Sequence, residues 1–213
     1  MKLYDVFLTY IYYLIHPFKT HEQFVNPDVE KPLLKLTAYE SLSTSWVFVI
    51  INGIARIALL NLVLVMISNM IADSNLELLG LVNIDEMSNY SFLILSAVLD
   101  IIFFPLFGLF IIQYWEIVIK FFGKLIQTPG DLAGKANEII SVYYASHIFK
   151  IIPFFGAFAQ SISSIVLMYA GLRVQLKASP ALCFCIIFSP VFIGIALISV
   201  FMLLMLVFSA VTF

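Results

Sequence analysis

The chain has 213 residues, of which 62% are hydrophobic and 11% charged, with a formal net charge of −2 and a mean hydropathy of +1.06. A soluble domain carries about 25% charged residues, so a soluble enzyme of this size would lack the polar surface to cover its core, and the acidic balance offers nucleic acid no basic patch. With 9 Gly, 8 Pro and 2 Cys, collagen-like, disordered and disulfide-scaffold classes fall away too, which leaves an integral membrane protein.

Residues 1–16 (MKLYDVFLTYIYYLIH) are apolar but too short to span. Asp5 sits early and no A-x-A cleavage site follows, so a removed signal peptide is not expected. The segment reads as an interfacial helix on the cytoplasmic face, with Tyr10, Tyr12 and Tyr13 at headgroup level. Residues 17–40, with three prolines and a run of charges, read as a solvated cytoplasmic connector.

Beyond the connector, charges separate long uncharged runs. About 20 mostly apolar residues cross a bilayer, and on that rule the spans are predicted at about 41–72, 88–119, 136–152, 156–176 and 181–211. The last lies in the longest uncharged run, 178–213, and is expected to be continuous with a bend at Pro190. The strict alternation of barrel strands is absent. The expected fold is therefore all-α: a polytopic integral membrane protein with five transmembrane helices behind an N-terminal interfacial amphipathic helix.

Basic residues set the orientation. Lys2, Lys19, Lys31 and Lys35 precede the first span; Lys120, Lys124 and Lys135 follow the second; Arg173 and Lys177 follow the fourth. The loop 73–87 has no basic residue and carries Asp73, Glu77, Asp85 and Glu86. Nine of the 11 basic residues thus share one side, with Arg56 inside a span and Lys150 opposite. This places the N-terminus in the cytoplasm and the C-terminus outside.

Arg56 and Asp100 are the sharpest features, because a charge inside a bilayer costs about 2.5–3.5 kcal/mol on insertion scales and faces a partner or water. Counted from the outer helix ends, Arg56 lies 16 residues before Ala72 and Asp100 lies 12 after Ser88. The depth difference is about 6 Å at 1.5 Å per residue, within reach of a slanting arginine. An intramembrane ion pair between the first two spans is expected, with a structural role fixing helix register and a transport or proton-relay role as the alternative. His147 and Lys150, three apart, are weaker candidates: one histidine without an acid in helical register, and a lysine reaching outer headgroups. Asn52, Asn61, Asn69 and Gln160 read as interhelical hydrogen-bond partners. Glu116 and Lys120 have the favourable i,i+4 order, beside an aromatic belt of Tyr114 and Trp115 that Trp46 matches on the first span. Cys183 and Cys185 read as buried apolar thiols. Motifs for hydrolases, nucleotide binding and metal ligation are absent, so no catalytic, cofactor-binding or metal residue is expected.

One set of residues resembles a known family. Tyr143-Tyr144-Ala145-Ser146, the hairpin Ile152-Pro153-Phe154-Phe155-Gly156, and Tyr169-Ala170-Gly171-Leu172-Arg173 are similar to the Yip domain family, the Ypt/Rab-interacting polytopic membrane proteins. The family pattern is a Tyr/Ala-rich helix, a proline-glycine hairpin and a span ending in Gly-Leu before a short basic turn; Tyr143, Tyr144, Pro153, Gly156 and Gly171 carry it here. Ser146-His147 stands where members often have proline. The chain resembles a short prokaryotic-type member, without the long cytosolic segment of eukaryotic ones. The resemblance implies one membrane domain over residues 1–213 in a bacterial cytoplasmic (inner) membrane. It implies a non-enzymatic protein that works through membrane organisation or recruitment of a membrane or cytoplasmic partner, with the bilayer itself and a second copy as further partners. The alternative is a small solute, ion or lipid transporter or channel, homo-oligomeric, using Arg56 and Asp100.

Overall fold

The structure, a computed structural model, describes residues 3–26, 34–73, 88–153 and 155–212. The acidic stretch 74–87, residues 27–33 with Lys31, and Phe154 of the hairpin lie outside the described residues. Those described form α1 (Leu3–Ile15), α2 (Pro17–Val25), α3 (Ala38–Asp73), α4 (Ser88–Leu125), α5 (Leu132–Tyr144), a 3-10 segment (Ala145–Ile151), α6 (Gly156–Gln175), α7 (Pro180–Ile187) and α8 (Ser189–Thr212).

Four stretches are long and apolar enough to cross a membrane: Ala38–Met66, Ile94–Leu125, Gly156–Gln175 and Ser189–Leu206. The chain is thus an all-helical multi-pass membrane protein as far as it is described. The stretch 136–152, expected as a fifth span, is not among them. It divides into 13 residues of α5 and a seven-residue 3-10 segment, and Ala136, Ile139, Ile140, Val142, Tyr144 and Ala145 are fully buried. Its apolar side chains fill a core between α3, α4 and α6 instead of facing outward.

The long helices α3 and α4 run antiparallel and touch along much of their length. Gly108 lets them approach: a Cβ there would fall 2.2 Å from Leu42 Cδ1. Pro105 lies inside α4 and has no N–H for the carbonyl four residues back. That carbonyl, on Ile101, accepts a hydrogen bond from Trp46 Nε1 at 2.8 Å. The indole read as an interfacial anchor thus also repairs a proline-broken hydrogen-bond ladder across a helix pair.

α5 lies parallel to α3 and is bonded to it by a ladder. The Ala38 N–H donates to Asn137 Oδ1 (2.9 Å), the Ser41 and Ser141 hydroxyls meet (2.8 Å), and Ser45 Oγ donates to the Tyr144 carbonyl (3.0 Å). Spacings of three and four on both helices keep these groups on facing stripes. The Tyr144 hydroxyl crosses to α4 and donates to the Gly108 carbonyl (2.9 Å).

The N-terminal helices depart from expectation. Val6, Tyr10 and Tyr13 point inward and are buried. Tyr10 donates to the Ser41 carbonyl (3.0 Å) and Tyr13 to the Leu34 carbonyl (2.7 Å). Only Tyr12 stays partly exposed, stacked on His16 and accepting from Gln23. The opposite face carries exposed Tyr4, Phe7, Leu8 and Ile15, so α1 is apolar on both sides, and of the three tyrosines expected to face headgroups, Tyr10 and Tyr13 instead face the protein core. The connector is likewise not all solvated: within it α2 begins at Pro17, buries Thr20 and His21 and packs on α6. Lys35, 2.5 Å from Glu138, ties the chain before α3 to α5.

The region expected as one C-terminal span is two helices. Pro190 cannot bond the Ile186 carbonyl; that oxygen accepts instead from the Phe188 N–H and from Ser189 Oγ (2.7 Å). α7 has its own start, with Ser179 Oγ accepting from the Leu182 N–H (3.3 Å). Cys183 is buried and Cys185 exposed, so only one of the two thiols is a core residue. The spanning window of α8 buries none of its residues.

The turn into α6 depends on Gly156, where an added Cβ would lie 2.1 Å from the Phe149 carbonyl oxygen. Backbone cannot yield as a side chain does. Gly156→Ala is expected to destabilise the protein by about 1–3 kcal/mol, seen as a lowered thermal midpoint in detergent. Gly194→Ala, at a position with open space around it, is expected to leave the midpoint unchanged or to raise stability by up to about 1 kcal/mol.

Candidate functional site

The fold brings Arg56 of α3 and Asp100 of α4 together: Nη1 of Arg56 donates to Oδ2 of Asp100 at 3.3 Å. It is a single contact, with the arginine side chain 28% and the carboxylate side chain 65% exposed. A third charge converges on them. Lys150, in the last turn of the 3-10 segment, places Nζ 5.0 Å from the centre of the Phe104 ring and is close enough to Asp100 to feel its charge. Lys150 is in no ion pair among the described residues.

The three charges line one cavity of about 270 Å³, between α3, α4 and the end of the 3-10 segment. Asn52 lines it too, and its Oδ1 is buried without a hydrogen-bond partner. Phe103, Phe104 and Phe107 supply apolar wall. Two cations, one carboxylate and a vacant amide acceptor make a site with an excess positive charge, and the low dielectric of its aromatic wall strengthens each interaction.

Sequence reasoning grouped Lys150 with His147; both lie against the Phe104 ring, but only Lys150 lines the cavity. His147 is buried behind Phe104, with Nδ1 3.2 Å from the Tyr144 carbonyl and Nε2 3.3 Å from Gln160 Nε2. Nδ1 therefore carries the proton, and Gln160 donates to Nε2. The ring stacks on Tyr144 and meets Phe104 edge-on. The sequence held no signal for Lys150 at this site: its placement follows from the register of Ala38 with Asn137 and Ser41 with Ser141, which only the fold sets.

The residues that carry the family resemblance are placed as follows. Tyr143 packs on Trp115, and Tyr144 joins α3, α4 and α5. The Pro153 carbonyl accepts from the Phe155 N–H (2.8 Å) in the hairpin, and Gly156 fits under the Phe149 carbonyl. Gly171 admits the His21 ring of α2, whose Cε1 and Nε2 lie 3.0 Å from where a Cβ would stand. Glu116 and Lys120 form an ion pair within α4. Of the amides, Gln160 meets His147 and Asn52 lines the cavity, whereas Asn61 and Asn69 are exposed. Among the described residues no three His, Cys, Asp or Glu side chains gather as metal ligands would.

His21 itself forms a second polar centre, at the opposite end of α6. The Gln175 amide donates to its Nδ1 (2.9 Å), while His21 Nε2 and Gln175 Oε1 are buried without partners. Burial pushes the imidazole down from its usual value near 6.5 to about 4, because a charge there would be desolvated. The unfolded chain therefore takes up a proton before the folded one does. Docking of α2 is complete above pH 6.5, weakens as pH falls toward 4, and loses about 3 kcal/mol across that window. Thermal midpoints measured from pH 7.5 to 4 are expected to fall with acid, and His21→Leu is expected to flatten that dependence.

No family model matches the chain, and neither a curated protein nor a solved structure matches it.

Proposed function

We propose that this is a non-enzymatic integral membrane protein of Yip-like type that acts through membrane organisation or recruitment of a partner. The observation that carries this reading is where the polar and apolar groups go. Within the bundle, hydroxyls and amides join one element to another: Ser41 to Ser141, Ser45 to Tyr144, Tyr144 to Gly108, His21 to Gln175. Outward, α1, α3, α4 and α8 present large apolar side chains. That is a rigid body with apolar surfaces for lipid or another membrane protein.

In this reading α5 and the 3-10 segment together make the third of five crossings. Their 13 and seven residues rise about 34 Å at 1.5 and 2.0 Å per residue, against about 30 Å of hydrocarbon. The excess of Lys and Arg before α3, after α4 and after α6 supports a cytoplasmic N-terminus and an external C-terminus, and the resemblance to short Yip-type chains supports a bacterial inner membrane. α1 runs beside α3 between Ser41 and Ile51, so its free face, with Tyr4, Phe7 and Leu8, lies against the inner leaflet or a partner.

Purification from native membranes in lipid nanodiscs, with quantification of what accompanies the chain, tests this. A near-stoichiometric protein is expected with the wild type and is expected to be lost in a Phe7→Ser, Leu8→Ser double variant whose thermal midpoint is unchanged. Recovery of the chain with itself and lipid alone would contradict the recruitment reading.

The charged cavity favours a second reading, a small transporter using Arg56 and Asp100 in a homo-oligomer. It requires solute flux in reconstituted vesicles that Asp100→Asn abolishes.

A further inference from the structure

The cavity at the hairpin end of the bundle has the composition of a phosphoryl site. It holds the guanidinium of Arg56 and the ammonium of Lys150, balanced by the single carboxylate of Asp100. Asp100 spends one oxygen on one contact with Arg56. Lys150 is left with an aromatic ring, to which a cation is attracted without being neutralised. A net positive charge beside an apolar wall is costly unless an anion compensates it.

Depth argues for the source of that anion. Ile152, Pro153 and Phe155 of the hairpin are outside the helices, and Ile152 and Phe155 are 51% and 80% exposed. Exposed irregular backbone is not found in the hydrocarbon layer, so the hairpin lies at the membrane surface. Lys150 is within one turn of it, and Arg56 and Asp100 share its cavity, while Leu62, Val65 and Met66 carry the exposed apolar surface of α3 on past the cluster, so lipid is the source of anion that the three charges face. From the hairpin, the 20 residues of α6 span about 30 Å, to the other surface, while α3 and α4 continue past the cluster.

We propose that this cavity binds a phospholipid headgroup, with the phosphodiester between Arg56 and Lys150 and a headgroup hydroxyl or amine donating to Asp100 and to the vacant Oδ1 of Asn52. At about 270 Å³ the cavity is below the roughly 300–1,000 Å³ of pockets for drug-sized ligands, so it takes the headgroup and leaves the acyl chains in the bilayer. The exposed side of Asp100 and the exposed Leu99 and Phe103 beside it give the lipid a lateral way in. This assignment stands independently of partner recruitment: it concerns one cluster and one ligand class.

Native mass spectrometry of the detergent-purified full chain tests the site, with phosphatidylglycerol, phosphatidylethanolamine or inorganic phosphate added. Lys150→Gln is the decisive variant, because it removes one cation and leaves the Arg56–Asp100 contact in place; its thermal midpoint without lipid controls for folding. One phosphatidylglycerol or phosphatidylethanolamine retained per wild-type chain is expected, with affinity reduced about tenfold in Lys150→Gln and also in Asn52→Leu. Retention of inorganic phosphate with the same loss in Lys150→Gln, and no retained lipid, would keep the phosphoryl site and assign it to a soluble anion. Equal lipid retention by wild type and a folded Lys150→Gln, or no retention of any probe by the wild type, would overturn the proposal.

Discussion

The contact on which the rest depends is the polar ladder between α3 and α5. Ala38, Ser41 and Ser45 on one helix meet Asn137, Ser141 and Tyr144 on the other, and each rung fixes the axial register of the two. In an apolar surrounding these groups have few other partners, so a slip of one turn would leave several buried polar atoms unpaired. Register in turn sets the height of everything that follows Tyr144. Because α5 is held level with the start of α3, the 3-10 segment delivers Lys150 to the depth of Arg56. The Tyr144 hydroxyl carries the same register to α4 through Gly108, and so to Asp100.

Two prolines in apolar helices have opposite outcomes, and the difference lies in who satisfies the orphaned carbonyl. At Pro105 the Ile101 oxygen is met by Trp46 from the neighbouring helix, and α4 runs unbroken through its 38 residues. At Pro190 the Ile186 oxygen is met locally by Ser189 and the Phe188 N–H, and the helix stops. A partner from across the interface preserves the helix; partners from the next turn of chain end it. The result is that α7 stays in the core with buried Cys183, Ile186 and Ile187, while α8 leaves it.

The two polar centres lie at opposite ends of α6 and differ in kind. At one end His21 and Gln175 close a neutral, buried contact that docks the N-terminal helices, with Gly171 giving the imidazole its space. At the other, Arg56, Asp100 and Lys150 leave an open cavity with unequal charge. The first holds elements together; the second has capacity to spare for a ligand. This division is compatible with a protein whose chemistry is recognition at the membrane.

Much of the architecture was legible in the amino-acid sequence because a bilayer imposes it. Long uncharged runs have to be helices when lipid offers backbone groups no partner, so α3, α4, α6 and α8 follow from hydropathy, and the place of Gly156 follows from the hairpin it closes. The pattern also marks Arg56 and Asp100, since charge in such runs is rare. Hydropathy does not say which apolar surface meets lipid and which meets protein, because both are apolar. For that reason Tyr10 and Tyr13 read as facing headgroups when their side chains are core, residues 136–152 read as one uniform helix when they are an α-helix followed by a 3-10 segment, and 181–211 read as one helix when it is two. The third charge at the cavity, the docking of His21 under Gly171 and the rescue of Ile101 by Trp46 were decided only by tertiary structure. Each depends on register between segments tens of residues apart, and no local period in the chain encodes that distance.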